Sequence, residues 1–83
     1  MSQKLTGCSE LGTQLKNLRL EAGFGVTELA RYLQLLGCDM TRECLVKIEA
    51  GTHHVSMEQL RGFKEAFKVP YDKIFEFLEE GKA

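Results

Sequence analysis

The stretch GVTELARYLQLLGCDMTRECLVKIEAG, residues 25–51, decides how this chain is read. It holds two apolar runs at helical spacing, parted by a glycine and a short polar turn. Val26, Leu29, Ala30 and Leu33 share one side of a helix that follows Gly25, runs to about Leu36 and is stopped by Gly37. Thr41 is placed to cap a second, shorter helix over residues 41–50, with Leu45 and Ile48 inward and Gly51 at its end. Arg42, Glu43, Val46 and Lys47 then point away from the anchoring side.

The same periodicity continues on both flanks. Upstream, Leu11, Leu15, Leu18 and Ala22 recur at steps of four, three and four, with Ser9 as N-cap, Glu10 in the first turn and Gly23 as terminator. Downstream, Ser56-Met57-Glu58-Gln59 fits a capping box for a helix over 56–68 whose inner face is Leu60, Phe63 and Phe67. Pro70, the only proline, suits the start of a fifth helix from Tyr71 to about Glu80. No strand-length window alternates, so the spacing predicts an all-α fold: five short helices in one compact domain over residues 9–80. Residues 1–8 and 81–83 are expected to be flexible termini.

Composition narrows the function classes. At 83 residues the chain has room for one core of modest stability. No apolar run approaches the roughly 18 residues of a membrane span, and the amino terminus lacks the apolar stretch of a secretory signal. A soluble, cytoplasmic protein with no membrane partner is the expectation. Cys8, Cys38 and Cys44 are odd in number and form no CxxC pair. With His53 and His54 they lack zinc-site spacing, so reduced, structural thiols and no metal or other cofactor are expected. No cysteine has a clearly placed base and no glycine-rich phosphate loop occurs, which argues against an enzyme. The net charge is −1: residues 1–71 carry nine Lys or Arg against eight Asp or Glu, and residues 72–83 carry two against four. That balance alone points to no polyanionic partner.

Four stretches carry a resemblance: LKNLRLEAG (15–23), TELARYL (27–33), TRECLVKIEAG (41–51) and VSMEQLRGFKEAFKVPYDKIF (55–75). In this order and spacing they resemble the phage-repressor-like helix-turn-helix proteins, the XRE family, over most of the chain. The resemblance implies a lambda-repressor-like DNA-binding domain and a regulator of transcription, most simply a repressor. Its motif would span residues 26–50. It further implies that Arg19 pairs with Glu49, tying the third helix to the first. Ala30 and Glu49 lie about five residues further apart than the family pattern, an excess one added turn of the second helix would absorb.

Physical chemistry gives the exposed residues matching tasks. A recognition helix is short, anchored on one face, and polar at the end that enters the major groove. Arg42 suits guanine O6 and N7, Glu43 suits cytosine N4, Val46 a thymine methyl, and Lys47 a phosphate; Thr41 stands at the entering end. The backbone amides at Val26 and Thr27 form a helix start suited to phosphate. His53 suits phosphate when protonated. An ordinary amphipathic helix with a solvated face reads the same from this stretch alone.

Small readers of duplex DNA usually double over a two-fold site. Tyr71, Ile74, Phe75, Phe77 and Leu78 span more than one face of the last helix, so a homodimer seam is expected there, with Tyr71, Ile74, Phe77 and Leu78 its residues. The alternative turns all but Phe77 inward. The rival to DNA binding is a protein-interaction module on the same fold: an antitoxin, anti-repressor or adaptor that binds a regulatory protein partner. Near-neutral charge and Val26, where the family often has a glutamine, favour it.

Overall fold

The computed structural model describes residues 9–80, and all regular structure among them is helical. The termini expected to be flexible, 1–8 and 81–83, lie outside the described residues. In chain order the helices are α1 (Ser9–Glu21), α2 (Val26–Leu35), α3 (Arg42–Ala50), α4 (Met57–Phe67), α5 (Tyr71–Ile74) and α6 (Glu76–Glu80). α1 is the hub, packing on α3, α4, α5 and α6, while α2 packs on α3 and α4.

Local chemistry explains the boundaries. The Thr41 hydroxyl accepts the Cys44 N–H at 3.0 Å, capping α3. At α4 the capping box closes in both directions: Ser56 Oγ accepts the Gln59 N–H, and Gln59 Oε1 accepts the Ser56 N–H, each at 3.0 Å. α3 ends in a left-handed residue, Gly51, at φ 82°. The Gly51 and Thr52 N–H groups donate back to the Ile48 and Lys47 carbonyls at 3.0 Å, which satisfies acceptors the helix end would otherwise leave open. Ser9, expected as the N-cap, is the first described residue and lies within α1.

The core contains Leu11, Leu15 and Leu18 of α1, Leu29, Ala30 and Leu33 of α2, Leu45 and Ile48 of α3, Phe63 and Phe67 of α4, and Ile74 of α5. Ala22, expected on the inner face, is exposed beyond the end of α1, and Leu60 is only half-buried. Two core residues come from the connection between α2 and α3: Cys38 and Met40 are both buried. The added length of this region is therefore shared. α2 reaches Leu35 with Leu36 as its cap, and the following turn drops two side chains into the core. Side-chain amides hold that turn: Gln34 Nε2 donates to the Met40 carbonyl, and Gln59 Nε2 to the Asp39 carbonyl at 3.2 Å.

The single fifth helix expected over 71–80 is two pieces, and the described fold has six helices rather than five. Phe75 leaves helical geometry at φ −100° and ψ 18°. On a straight helix, residues two apart point to different sides. The break brings the Phe75 and Phe77 rings to 6.2 Å, both half-buried against the core, while Ile74 is fully buried. A kink thus buries apolar side chains that one straight helix would have distributed around its circumference.

Candidate nucleic-acid interface

α3 is fastened to the body from one side only. Leu45 and Ile48 are buried at 0 % and 1 % exposure. Glu49, next to them, receives a two-pronged ion pair from Arg19 of α1: Nε to Oε2 at 2.7 Å and Nη2 to Oε1 at 3.2 Å. The third prong of the guanidinium, Nη1, donates to the Phe24 carbonyl at 2.9 Å. The Arg19 and Glu49 side chains are 7 % and 9 % exposed, so this pair lies largely out of water. Its planar fork fixes both the position and the rotation of the α3 end relative to α1. The ion pair between Arg19 and Glu49 that the resemblance implies is present.

A second fastening went unread in the sequence. A Cβ built at Gly12 would stand 2.5 Å from the carbonyl oxygens of both Ile48 and Glu49. α1 and α3 therefore approach backbone to backbone at Gly12, and only a residue without a side chain permits it.

Opposite these contacts, Arg42, Glu43, Val46, Lys47 and Ala50 are all exposed. At 3.6 residues per turn they occupy one continuous arc of about 140°. Among the described residues, the side chains of Arg42, Glu43 and Lys47 make no ion pair or hydrogen bond within the chain. Val46 adds a 43 % exposed apolar contact to the arc. The donors and the acceptor assigned to base edges and phosphate are thus together on one face and unengaged. Thr41 stands at the amino end of that face, but its hydroxyl already serves as the cap acceptor.

The start of α2 differs from expectation. Val26 is half-buried against the core, and Thr27 is exposed. Glu28 Oε1 accepts the Gly25 N–H at 2.8 Å, one residue before the two amides expected to face a phosphate. Its negative charge beside them opposes an outside anion at the same positive helix end. The signal was legible, since a glutamate at the third helical position commonly reaches back to the cap. Beyond α3, His53 and His54 are exposed and stack on one another, with centroids 5.3 Å apart and planes 16° off parallel.

The expected seam on the last helix is reduced. Ile74, fully buried within one chain, offers no surface to a second. Phe77 is half-buried, which leaves Tyr71 and Leu78 as the exposed members. The outcome matches neither of the two arrangements weighed from the sequence, because the kink at Phe75 was not foreseen.

Cys38 is buried under the start of α4, and its thiol pKa is raised by that burial, with the Glu58 and Asp39 carboxylates and Cys44 adding to the effect. Among the described residues no three His, Cys, Asp or Glu side chains are grouped to hold a metal ion, and no helix is long and apolar enough to cross a membrane. The sequence of the chain matches no known protein-family profile and none of the curated proteins compared with it.

Proposed function

We propose that this chain is a sequence-specific DNA-binding regulator of the phage-repressor-like helix-turn-helix type, a cytoplasmic homodimer that acts most simply as a repressor. α2 and α3 form its motif, and α3 enters the major groove. The observation that carries this reading is the arc on α3: two cations, one carboxylate and one small apolar group, unengaged inside the chain, on a helix held rigidly by Arg19, Glu49 and Gly12. A pre-set helix loses little freedom on docking, which favours base readout by few side chains. Arg42 reads guanine, Glu43 cytosine and Val46 a thymine methyl, with Lys47 on phosphate.

The carboxylate of Glu28 at the start of α2 and the net charge of −1 favour a second reading, a protein-interaction module on the same fold. Selection of bound duplexes from a random library at low salt, repeated with Arg42→Ala, separates the two. An enriched two-fold motif that is lost in the variant, with the helical circular dichroism unchanged, supports the regulator. Absence of any enrichment refutes DNA reading and leaves the interaction module.

A further inference from the structure

The two ends of α3 are held by different means. At the carboxyl end stand the Arg19–Glu49 fork and the close backbone approach at Gly12. At the amino end, which carries Arg42 and Glu43, the chain arrives through residues 39–41, and each of the three has a polar tether. The Asp39 carbonyl accepts from Gln59 Nε2 at 3.2 Å, the Met40 carbonyl accepts from Gln34 Nε2, and the Thr41 hydroxyl accepts the Cys44 N–H at 3.0 Å.

Gln59 is the tether that comes from outside α2 and α3, and both ends of its half-buried amide are used. Oε1 accepts the Ser56 N–H at 3.0 Å and closes the α4 cap. Nε2 donates to the Asp39 carbonyl and, at 3.9 Å, to the Cys44 thiol in the first turn of α3. A capping box needs only the acceptor, which a glutamate supplies as well as a glutamine. α2 is closed in this way by Glu28. The donor half of Gln59 therefore has a task apart from the cap: it ties α4 to the turn before α3 and to the start of α3 itself.

The tether acts where leverage is greatest. Residues 42 and 49 lie about 10 Å apart along the helix, so a swing of about 6° about the Glu49 joint carries Arg42 about 1 Å sideways. Directional contacts need their groups held to about 0.5 Å. Val46, one turn nearer the joint, moves about half as far, and its apolar contact is less directional than a two-pronged hydrogen bond.

We propose that Gln59 is a positioning residue for base readout, its Nε2 group setting the amino end of α3 and with it Arg42 and Glu43; this rests on the reading of α3 as the helix that enters the groove. Two variants of the full chain separate the tether from the cap. Gln59→Glu keeps an acceptor for the Ser56 N–H and sets an oxygen against the Asp39 carbonyl. Ser56→Ala removes the cap hydroxyl and leaves the Gln59 amide in place. Bound duplexes are selected from a random library, and affinity is then measured on single-base changes of the selected site. The base pairs read by Arg42 and Glu43 are those whose preference is lost in Arg42→Ala and Glu43→Ala.

In Gln59→Glu, discrimination at those base pairs falls about ten-fold, while that at the base pair facing Val46 stays. In Ser56→Ala the thermal midpoint falls and every base preference stays. Gln59→Met adds no charge and lacks the donor, so it must show the same local loss; it also takes the place of Gln59→Glu should that variant fail to fold by circular dichroism. A wild-type chain that enriches no motif removes the DNA reading and this proposal together. An enriched motif whose base preferences are unchanged in folded Gln59→Met overturns the positioning role alone. A loss spread evenly over all base pairs, or an equal local loss in Ser56→Ala, also overturns it and assigns the effect to general stability or to the α4 cap.

Discussion

Removing the Glu49 carboxylate tests the mounting of α3 most directly. Glu49→Ala leaves the Arg19 guanidinium 7 % exposed, with its bond to the Phe24 carbonyl but without the two bonds that neutralise it. Breaking a fully buried ion pair from one side costs about 3–5 kcal/mol, because the surviving charge is left without compensation. The slight exposure here, and the retained Phe24 bond, set the expectation at the lower end, about 3 kcal/mol. For a domain of this size each kcal/mol moves the midpoint by roughly 4–8 °C, so Tm should fall by at least about 12 °C. Thermal and urea unfolding followed at 222 nm read the change. A fall of only a degree or two would refute the reasoning, since the pair would then be no better than one in water. The double variant Arg19→Leu, Glu49→Leu supplies the internal control. It removes both charges, so it is expected to recover part of the loss seen in either single variant. A double variant as unstable as the sum of the singles would place the cost in lost packing instead of stranded charge.

Further outcomes are expected. Gly12→Ala drives a methyl against two backbone carbonyls and should lower stability by about 3 kcal/mol by urea titration, where an ordinary helical Gly→Ala change stabilises by up to about 1 kcal/mol. Lys68, at φ 56° the one left-handed residue other than glycine among those described, should gain about 1 kcal/mol on replacement by glycine, read as a rise in Tm. In a Cys8→Ser background, Cys44 should react with a chromogenic disulfide well before Cys38, whose thiol is buried and has a raised pKa. For the same reason the unfolded chain loses the Cys38 proton first, so stability falls as pH climbs past the ordinary thiol value of about 9.0. Cys38→Ala should flatten that alkaline slope in a urea series. On a selected duplex, log K against log salt should slope by only about −3 to −5 per dimer, since few basic side chains face a phosphate; a much steeper slope would contradict it.

The sequence made the frame legible wherever a local rule acts on neighbouring residues. The Ser56 and Gln59 box, the Thr41 cap and the Gly51 stop were all readable because donor and acceptor lie within a turn of each other. The arc on α3 was readable for the same reason, since period and polarity suffice to place Arg42, Glu43, Val46 and Lys47 opposite Leu45 and Ile48. What escaped depends on partners far along the chain. Gly12 has the helical propensity of any glycine, and only the carbonyls of residues 48 and 49 give it a purpose. Met40 sits in a polar turn and is buried because Gln34 and Gln59 hold the backbone on either side. Helical spacing through residues 71–80 is uninterrupted, and the break at Phe75 arises from competition among Ile74, Phe75 and Phe77 for one core. Glu28 is a different case: its place at the third helical position is itself the local signal for its bond back to the Gly25 N–H.

Because α3 is held only from its inner side, its two halves answer to different constraints. Leu45, Ile48 and Glu49, together with Gly12 and Arg19 across the joint, carry the cost of any change. The outward side chains are exposed and make no hydrogen bond or ion pair among the described residues, and exchanges there stay within about 0.5 kcal/mol. Positions 42, 43, 46 and 47 are therefore open to drift or to selection without endangering the fold. One scaffold can carry many different faces, and a library randomised at these four positions should remain folded almost throughout.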